Sequence, residues 1–469
     1  MRRGPAWVLI VASIASLMVA LDALVVTTAL PTIRVDLGAS IEQLEWTVNA
    51  YTLSFAVLLM TGAVLGDRFG RRKMFAVGLA VFSGGSAACA LAPDVGFLIA
   101  ARAVQGAGAA LVMPLGLTLL SAAYPPERRA RALGIFSGVT GLAVLGGPVI
   151  GGAITQGIAW QWIFWINVPI GLLTIPVVLR RVDENYGPRS APDIAGLALV
   201  TGAALGIVWA LVRGNSAGWG SVEVIAALAV GALLAVAFVL WERRTAEPML
   251  PMGLFSSRPF SSGNATIFFL SAALYGAVFF MAQFLQIVQH DGPLDAGVRL
   301  LPWTATLFIV APITGGRIPR VGERPFAVGG LLLQAAGMGW IALIAGPEVA
   351  YWRLAAPLAI AGCGVSMAMP ALQNAVVSSV APASIGKASG AFNMMRQLGG
   401  VFGIATLVAV FTGAGSYGSV HLFSDGFTAA LGVSAGLSLL GAAASIGLPR
   451  AQGATVSAPS VSEIATSSE

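Results

Sequence analysis

The chain has 469 residues, 57% of them hydrophobic and only 10% charged, with a mean hydropathy of +0.85. A soluble domain carries roughly 25% charged residues, and a water-borne fold has too little interior to bury this much apolar surface, so the expected fold class is an all-α polytopic membrane protein. The net charge of +6 does not point to nucleic acid, because the arginines punctuate apolar runs and form no basic face.

A membrane-crossing helix needs about 20 mostly apolar residues. Fourteen segments qualify, near 7–31, 45–66, 74–92, 96–121, 132–156, 161–179, 194–212, 222–241, 262–287, 297–315, 326–346, 352–380, 388–412 and 427–448. The first follows Arg2 and Arg3 as a secretory signal would, but the run from Trp7 to Ile33 is too long for one and is read as a retained span. It holds Asp22, the one acid expected deep inside a span. A carboxylate there is costly in lipid and must face the bundle interior, a partner or water. It either takes and releases a proton as its exposure changes, or packs helices with a permanent partner.

Between the second and third segments, Gly62-Ala63-Val64-Leu65-Gly66-Asp67-Arg68-Phe69-Gly70-Arg71-Arg72-Lys73 packs five charges and three glycines into a short connection. The glycines permit a tight turn. Asp67 lies close to the start of the next helix, where a carboxylate is favoured by roughly 0.3–1 kcal/mol. The basic residues either latch one conformation or anchor the cytoplasmic side. The fourth segment holds Arg102, whose five donors need partners. Asp22, Gln105 and backbone carbonyls are the candidates. A guanidinium seated directly on a carboxylate favours the charged form, which counts against proton exchange at that position.

The fifth segment is dense in small residues, with Gly141, Gly146, Gly147, Pro148, Gly151 and Gly152. Small residues let helices approach closely, and Pro148 removes a backbone bond. A bendable helix that seals an interface between two halves is the expected reading, with ordinary small-residue packing as the alternative. Arg396 in the thirteenth segment serves a substrate or snorkels to the interface. The tail from Ala451 has no apolar periodicity and is expected to be disordered.

Charge placement sets the orientation. With the N-terminus inside, 20 of the 26 Lys and Arg fall in cytoplasmic segments, Arg34, Arg213, Arg299 and Arg353 fall outside, and Arg102 and Arg396 lie within spans. That bias follows the positive-inside rule and predicts both termini in the cytoplasm. Trp7, Trp46, Trp160, Trp162, Trp241 and Trp352 fall near span ends, as interfacial anchors do.

The chain also repeats itself at an offset of 256. Gly106, Gly108, Met113, Pro114, Pro126, Gly134 and Phe136 match Gly362, Gly364, Met369, Pro370, Pro382, Gly390 and Phe392. Gly315 to Arg324 reads as a worn copy of the charged loop. The repeat implies two parallel halves with a substrate path between them. The predicted organisation is a six-helix half (1–181), an inserted helix pair with its linkers (182–258), a second six-helix half (259–449) and a cytoplasmic tail (450–469).

The charged loop, the Arg102 segment and the Gly/Pro run, in this order, resemble the major facilitator superfamily, and within it the fourteen-span drug:proton antiporters. The resemblance covers nearly the whole chain apart from the tail. Trp46, Tyr51, the run Trp162 to Gly171, Gln286, Ala296-Gly297, Pro302, Asn393, Arg396 and Gln397 extend it. It implies a major facilitator fold of 14 helices (6+2+6). It also implies a cytoplasmic gate motif at Gly66, Asp67, Arg68, Gly70 and Arg71, and an antiporter motif in the fifth span. Proton coupling would run through Asp22 and Arg102. Three positions depart from the family: Leu24 and Thr27 replace its usual threonine and asparagine beside Asp22, and Gln161 replaces an arginine.

The function expected is a proton-coupled efflux antiporter in the bacterial inner membrane, exporting a lipophilic drug or natural product by alternating access. A narrow exporter or importer of a metabolite, lipid or siderophore, or a non-transporting scaffold, are the alternatives. Tyr51, Phe55, Asn167, Phe268, Tyr275, Phe279, Gln283, Gln373, Asn374, Asn393 and Arg396 are candidate substrate contacts. With no second buried acid expected, neutral, zwitterionic or monocationic substrates are favoured. The partners are protons, a small substrate and the bilayer, the expected state is a monomer, and no cofactor is implied. No nucleophile–base pair or metal cluster suggests an enzyme, since His290 and His421 fall at outside span ends and Cys89 and Cys363 read as buried apolar residues.

Overall fold

The computed structural model describes residues 4–187, 191–381 and 384–449, without the side chains of 126, 127 and 130. The predicted tail, Arg2, Arg3, Arg189, Pro382 and the side chain of Pro126 lie outside the described residues. Among these residues the chain is helical, has no strand, and contains fourteen helices long and apolar enough to cross a membrane. They are numbered here as spans 1 to 14: Pro5–Asp36, Ile41–Phe69, Arg71–Ala90, Val95–Ala123, Arg131–Gly157, Trp162–Arg181, Ile194–Ala217, Val222–Glu242, Arg258–Ile287, Pro293–Val321, Glu323–Ile344, Tyr351–Ser378, Ile385–Ala414 and Val420–Gly447. An even number of crossings leaves both ends of the described chain on one side, the terminal face.

Local chemistry sets several ends. Span 2 starts with a capping box: Gln43 N donates to Ser40 Oγ at 3.2 Å, and Ser40 N donates to Gln43 Oε1 at 2.9 Å. It stops at Gly70, whose φ of +103° excludes most other residues and turns the chain straight into span 3. Span 6 breaks at Ile166 and restarts at Asn167. Pro169 follows in the first turn of the new segment, where its missing N–H costs nothing. Span 10 is broken twice, at Leu300 and Ala305.

The internal repeat has a packing counterpart. Span 1 packs on spans 4, 5 and 6, span 4 on spans 2 and 3, and span 3 on span 6; spans 9 to 14 repeat every one of these pairings. Across the two sets, span 5 meets span 10, span 13 meets span 2, and span 1 meets span 9. Spans 7 and 8 pack on each other, and span 7 rests on spans 2 and 13. Span 8 turns Val230, Leu233 and Val236 outward, as a lipid-facing helix does.

The sets are sealed together toward the face opposite the termini. An added Cβ at Gly152 would strike the backbone of Pro293 and Leu294, and one at Gly297 the backbone of Pro148 and Val149. Leu294 N donates to Gln156 Oε1 at 3.1 Å, and Gln286 Nε2 to the Thr28 carbonyl at 2.9 Å. The Arg34 guanidinium lies 4.3 Å from the Tyr417 ring centre, and Tyr417 Oη donates to Gln283 Oε1. Spans 5 and 10 part toward the terminal face. Gly141 still reaches the Phe308 ring at 4.0 Å, but Gly134, Gly138, Gly315 and Gly316 have open space at Cβ.

Candidate functional site: a buried charge pair and its neighbours

Asp22 and Arg102 are each 1% exposed, and they touch: Arg102 Nη1 donates to Asp22 Oδ2 at 2.5 Å. Five spans assemble the site. From span 4, one turn beyond Arg102, Gln105 Nε2 donates to Asp22 Oδ1 at 2.7 Å. From the break in span 6, Asn167 Nδ2 donates to the same oxygen at 2.9 Å. Ser86 of span 3 accepts from both amides, at 3.1 and 3.0 Å, and donates to the Phe164 carbonyl at 2.9 Å. Span 2 supplies the Thr47 carbonyl, which takes Arg102 Nε at 3.2 Å, and the Tyr51 ring, 4.2 Å beneath the guanidinium. Every group on Asp22 is a donor, so in this arrangement its two oxygens act only as acceptors.

The guanidinium has partners beyond the carboxylate. Arg102 Nη1 also donates to Gln105 Oε1 at 2.7 Å. A neutral carboxyl at Asp22 would therefore leave Arg102 with an amide, a carbonyl and an aromatic face. This matters in a dry site, where an orphaned charge is prohibitive and a hydrogen-bonded one is tolerated.

The charged loop is built as a clasp on the segment that follows span 6. Arg71 Nε donates to Asp67 Oδ1 at 2.7 Å, and Arg71 Nη1 to Asn185 Oδ1 at 2.9 Å. Arg71 N donates to the Asn185 carbonyl at 2.9 Å. Glu184 accepts the backbone N–H of Arg72 at 2.8 Å and of Lys73 at 3.2 Å, two donors that open the first turn of span 3. Gly66 is pressed against the Leu115 side chain, while Arg68 is exposed beside Phe69. Nothing in the sequence marked Glu184 or Asn185, because their role depends on the chain returning to the loop.

In span 5, Gly147 and Gly151 allow span 1 to approach. A Cβ at Gly147 would stand 2.7 Å from Leu24 Cβ, and one at Gly151 2.6 Å from both Thr28 Oγ1 and the Val25 carbonyl oxygen. Gly152 and Pro148 meet span 10, as above. Gly141 and Gly146 make no comparably tight approach.

The candidate substrate contacts divide. Tyr51 and Asn167 belong to the charge-pair network. Tyr51 Oη donates to the Val19 carbonyl at 3.2 Å. Phe55 is packed beside Tyr51, and Phe279 against Phe280. Gln283 is fully buried under Tyr417. Asn374 donates to Glu323 Oε1 at 2.7 Å near the terminal face, where Gln373 is exposed. Tyr275, Phe268, Asn393 and Arg396 are half-buried. Tyr275 Oη reaches Gln397 Oε1 at 3.5 Å, Asn393 donates to the Ser389 carbonyl, and Arg396 Nε is buried without a hydrogen bond.

Three expectations need correction. Asp22 is not the sole buried acid: Glu45 is 0% exposed and Glu242 3%. Glu45 stands near the end of its helix, but neighbouring spans rise past it. That removes the ground for favouring neutral or monocationic substrates. Trp160 is no interfacial anchor but is buried, its Nε1 donating to Asp36 Oδ2 at 2.6 Å, and Cys363 is only half-buried.

Residues 12–404 match the model of the Major Facilitator Superfamily. The chain belongs to this superfamily. Among its relatives, the "Tetracenomycin C resistance and export protein" of Streptomyces glaucescens is 36% identical over 413 residues, covering 86% of this chain and 76% of that protein. The "Multidrug resistance protein Stp" of Mycobacterium tuberculosis (strain CDC 1551 / Oshkosh) is 34% identical over 412 residues, covering 87% and 76%. The "Cephamycin export protein CmcT" of Amycolatopsis lactamdurans is 35% identical over 421 residues, covering 88% and 86%. A crystal structure of a peptide transporter POT in complex with sulfate superposes with a TM-score of 0.68 at 16% identity, over 94% of this chain and 93% of that one, and speaks to the fold alone. A multi-pass membrane transporter is the class to which fold and family assign this superfamily member.

Proposed function

We propose that this protein is a proton-driven exporter of a small lipophilic antibiotic or related natural product, working as a monomer in the bacterial plasma membrane. The observation that carries the proton half of the reading is the dry Asp22–Arg102 pair, in which Arg102 keeps three other partners if the carboxylate takes a proton. Resistance and export proteins among the relatives support the cargo and its direction. Placing the terminal face in the cytoplasm follows from the bias of Lys and Arg toward it.

On this reading, residues 1–181 and 259–449 rock against each other, with 182–258 riding between them. The conformation described above is closed to the outside, with Gly152 and Gly297 allowing the seal, and parted between spans 5 and 10 toward the cytoplasm. The Asp67–Arg71 clasp holds the linker at Glu184–Asn185 in this state. When the outer side opens, a proton taken by Asp22 releases Arg102 to its neutral partners. When the protein turns inward, the proton leaves and the pair re-forms. A direct pair is thus one stage of the cycle, not a bar to proton exchange.

The test uses liposomes containing the protein and an internal pH dye, with an imposed proton gradient and a panel of lipophilic antibiotics. Substrate-dependent proton flux in the wild type, lost in Asp22→Asn, is expected. Flux that survives in Asp22→Asn removes Asp22 from the coupling. No flux with any compound, in protein shown to be folded, overturns the antiport reading.

A further inference from the structure

Glu45 is the acid that this mechanism leaves unused. It lies in the second turn of span 2, on the side of the charge pair away from the terminal face. Two residues on, Thr47 supplies the carbonyl to Arg102. It is 0% exposed, and the one hydrogen bond its side chain makes among the described residues is from Asn49 Nδ2 to Glu45 Oε1, at 3.1 Å. Its other oxygen, Oε2, is buried with no partner, and so is the Oδ1 of Asn49.

Among the described residues no cation pairs with the carboxylate. Around span 2, Arg102 of span 4 is committed to Asp22 and Arg213 of span 7 to Glu42 and Glu223. Arg34 of span 1 lies over Tyr417, and Arg71, Arg72 and Lys73 of span 3 sit at the terminal face. Arg396 of span 13 makes no ion pair among the described residues, and neither does Glu45 itself. The charge that reaches Glu45 is that of Glu42, of the same sign, on the same helix.

The two orphaned atoms are both acceptors and belong to one side-chain pair. One proton shared between them would supply the donor that both lack. A carboxyl O–H directed at an amide carbonyl, with the amide N–H already directed at the other carboxyl oxygen, is the two-bond pairing of an acid with an amide. A buried acceptor left bare is destabilising, and an ionised one more so. We propose that Glu45 is a second proton-binding carboxyl, loaded in this conformation, and that burying it as the face opposite the termini closes requires that proton. This deepens the antiport reading and rests on it for the role assigned. A proton drawn from outside then favours outer closure, the step by which a proton-loaded antiporter turns inward.

Glu45→Gln is the informative variant. Its amide reproduces both hydrogen bonds to Asn49 without an exchangeable charge, so the fold should survive. Infrared spectroscopy of the full chain in lipid nanodiscs near neutral pH, without substrate and in a Glu242→Gln background that removes the other buried glutamate, should show a protonated carboxyl band that shifts in deuterium oxide. The band should be lost in Glu45→Gln and kept in Asp22→Asn. Spin labels on Val35 and His421, at that face, should report an open fraction that rises with pH, by up to about tenfold per unit for one linked proton. In Glu45→Gln the fraction should not respond.

A carboxyl band that persists in Glu45→Gln overturns the proposal, as does an unchanged pH response or closure that depends on sodium and not on pH. If the wild type moves no protons with any substrate, yet the band and the pH response both disappear in Glu45→Gln, the antiport reading falls and the proton on Glu45 stands.

Discussion

Removing either member of the Asp22–Arg102 pair should cost very different amounts. In Arg102→Gln the carboxylate keeps Gln105 and Asn167 on Oδ1, but Oδ2 loses the one donor it has among the described residues, in a site that is 1% exposed. Leaving one buried charge uncompensated costs about 3–5 kcal/mol. In Asp22→Asn the guanidinium retains the Thr47 carbonyl, Gln105 Oε1 and the Tyr51 ring, and Ser86 still accepts from Gln105 and Asn167. What is lost is close to one charge-assisted hydrogen bond, about 1.5–3 kcal/mol. Arg102→Gln should therefore be the less stable of the two by roughly 2 kcal/mol, a factor near 30 in the unfolding equilibrium. The double variant should recover part of the loss, since no charge is then buried. Steric-trap or denaturant unfolding in lipid bicelles measures all three. Equal losses, or a greater loss in Asp22→Asn, would refute the claim that Arg102 is the better-partnered member.

Gly151→Val places atoms against the Thr28 hydroxyl and the Val25 carbonyl, so spans 1 and 5 must separate at a cost of about 1–3 kcal/mol. Thiol accessibility of a cysteine placed at Gln156 should rise, and an unchanged value would mean that the glycine does not maintain the seal. At the terminal-face ends of spans 7 and 8, Glu242 Oε1 and Asp193 Oδ2 are buried acceptors that both crowd Gly196. Glu242→Gln supplies a donor between them and should raise stability by about 1 kcal/mol, whereas a fall in the unfolding midpoint contradicts this. Burial pushes the Tyr417 phenol up from its ordinary value. The folded state then keeps a proton that the unfolded chain gives up above about pH 10. Stability should accordingly fall as pH rises past that point, by at most about 1.4 kcal/mol per unit from this group. Tyr417→Phe should flatten that slope, and an unaltered slope would assign it to other groups.

The Glu45 and Glu184 results show where sequence reading stops. Apolar length alone marked the fourteen crossings, because a backbone in lipid must bond to itself and only a helix of about 20 residues does so across the bilayer. Spacing at an offset of 256 marked the repeat, and the charges Asp22, Arg102 and Asp67–Arg71 stood out because charge is rare here. Which side of each helix faces protein was not legible. In water an apolar stripe identifies the buried face, but in lipid the exposed face is apolar too, and periodicity falls silent. Asp22 could thus be recognised as exceptional without its donors Gln105 and Asn167 or the Ser86 that holds both amides, which come from three different spans. Glu45 looked like an ordinary acid at a helix start. Only the packing of neighbouring spans around its turn made it a buried carboxyl, since burial is a property of the assembled bundle and not of the residue's place in its own helix.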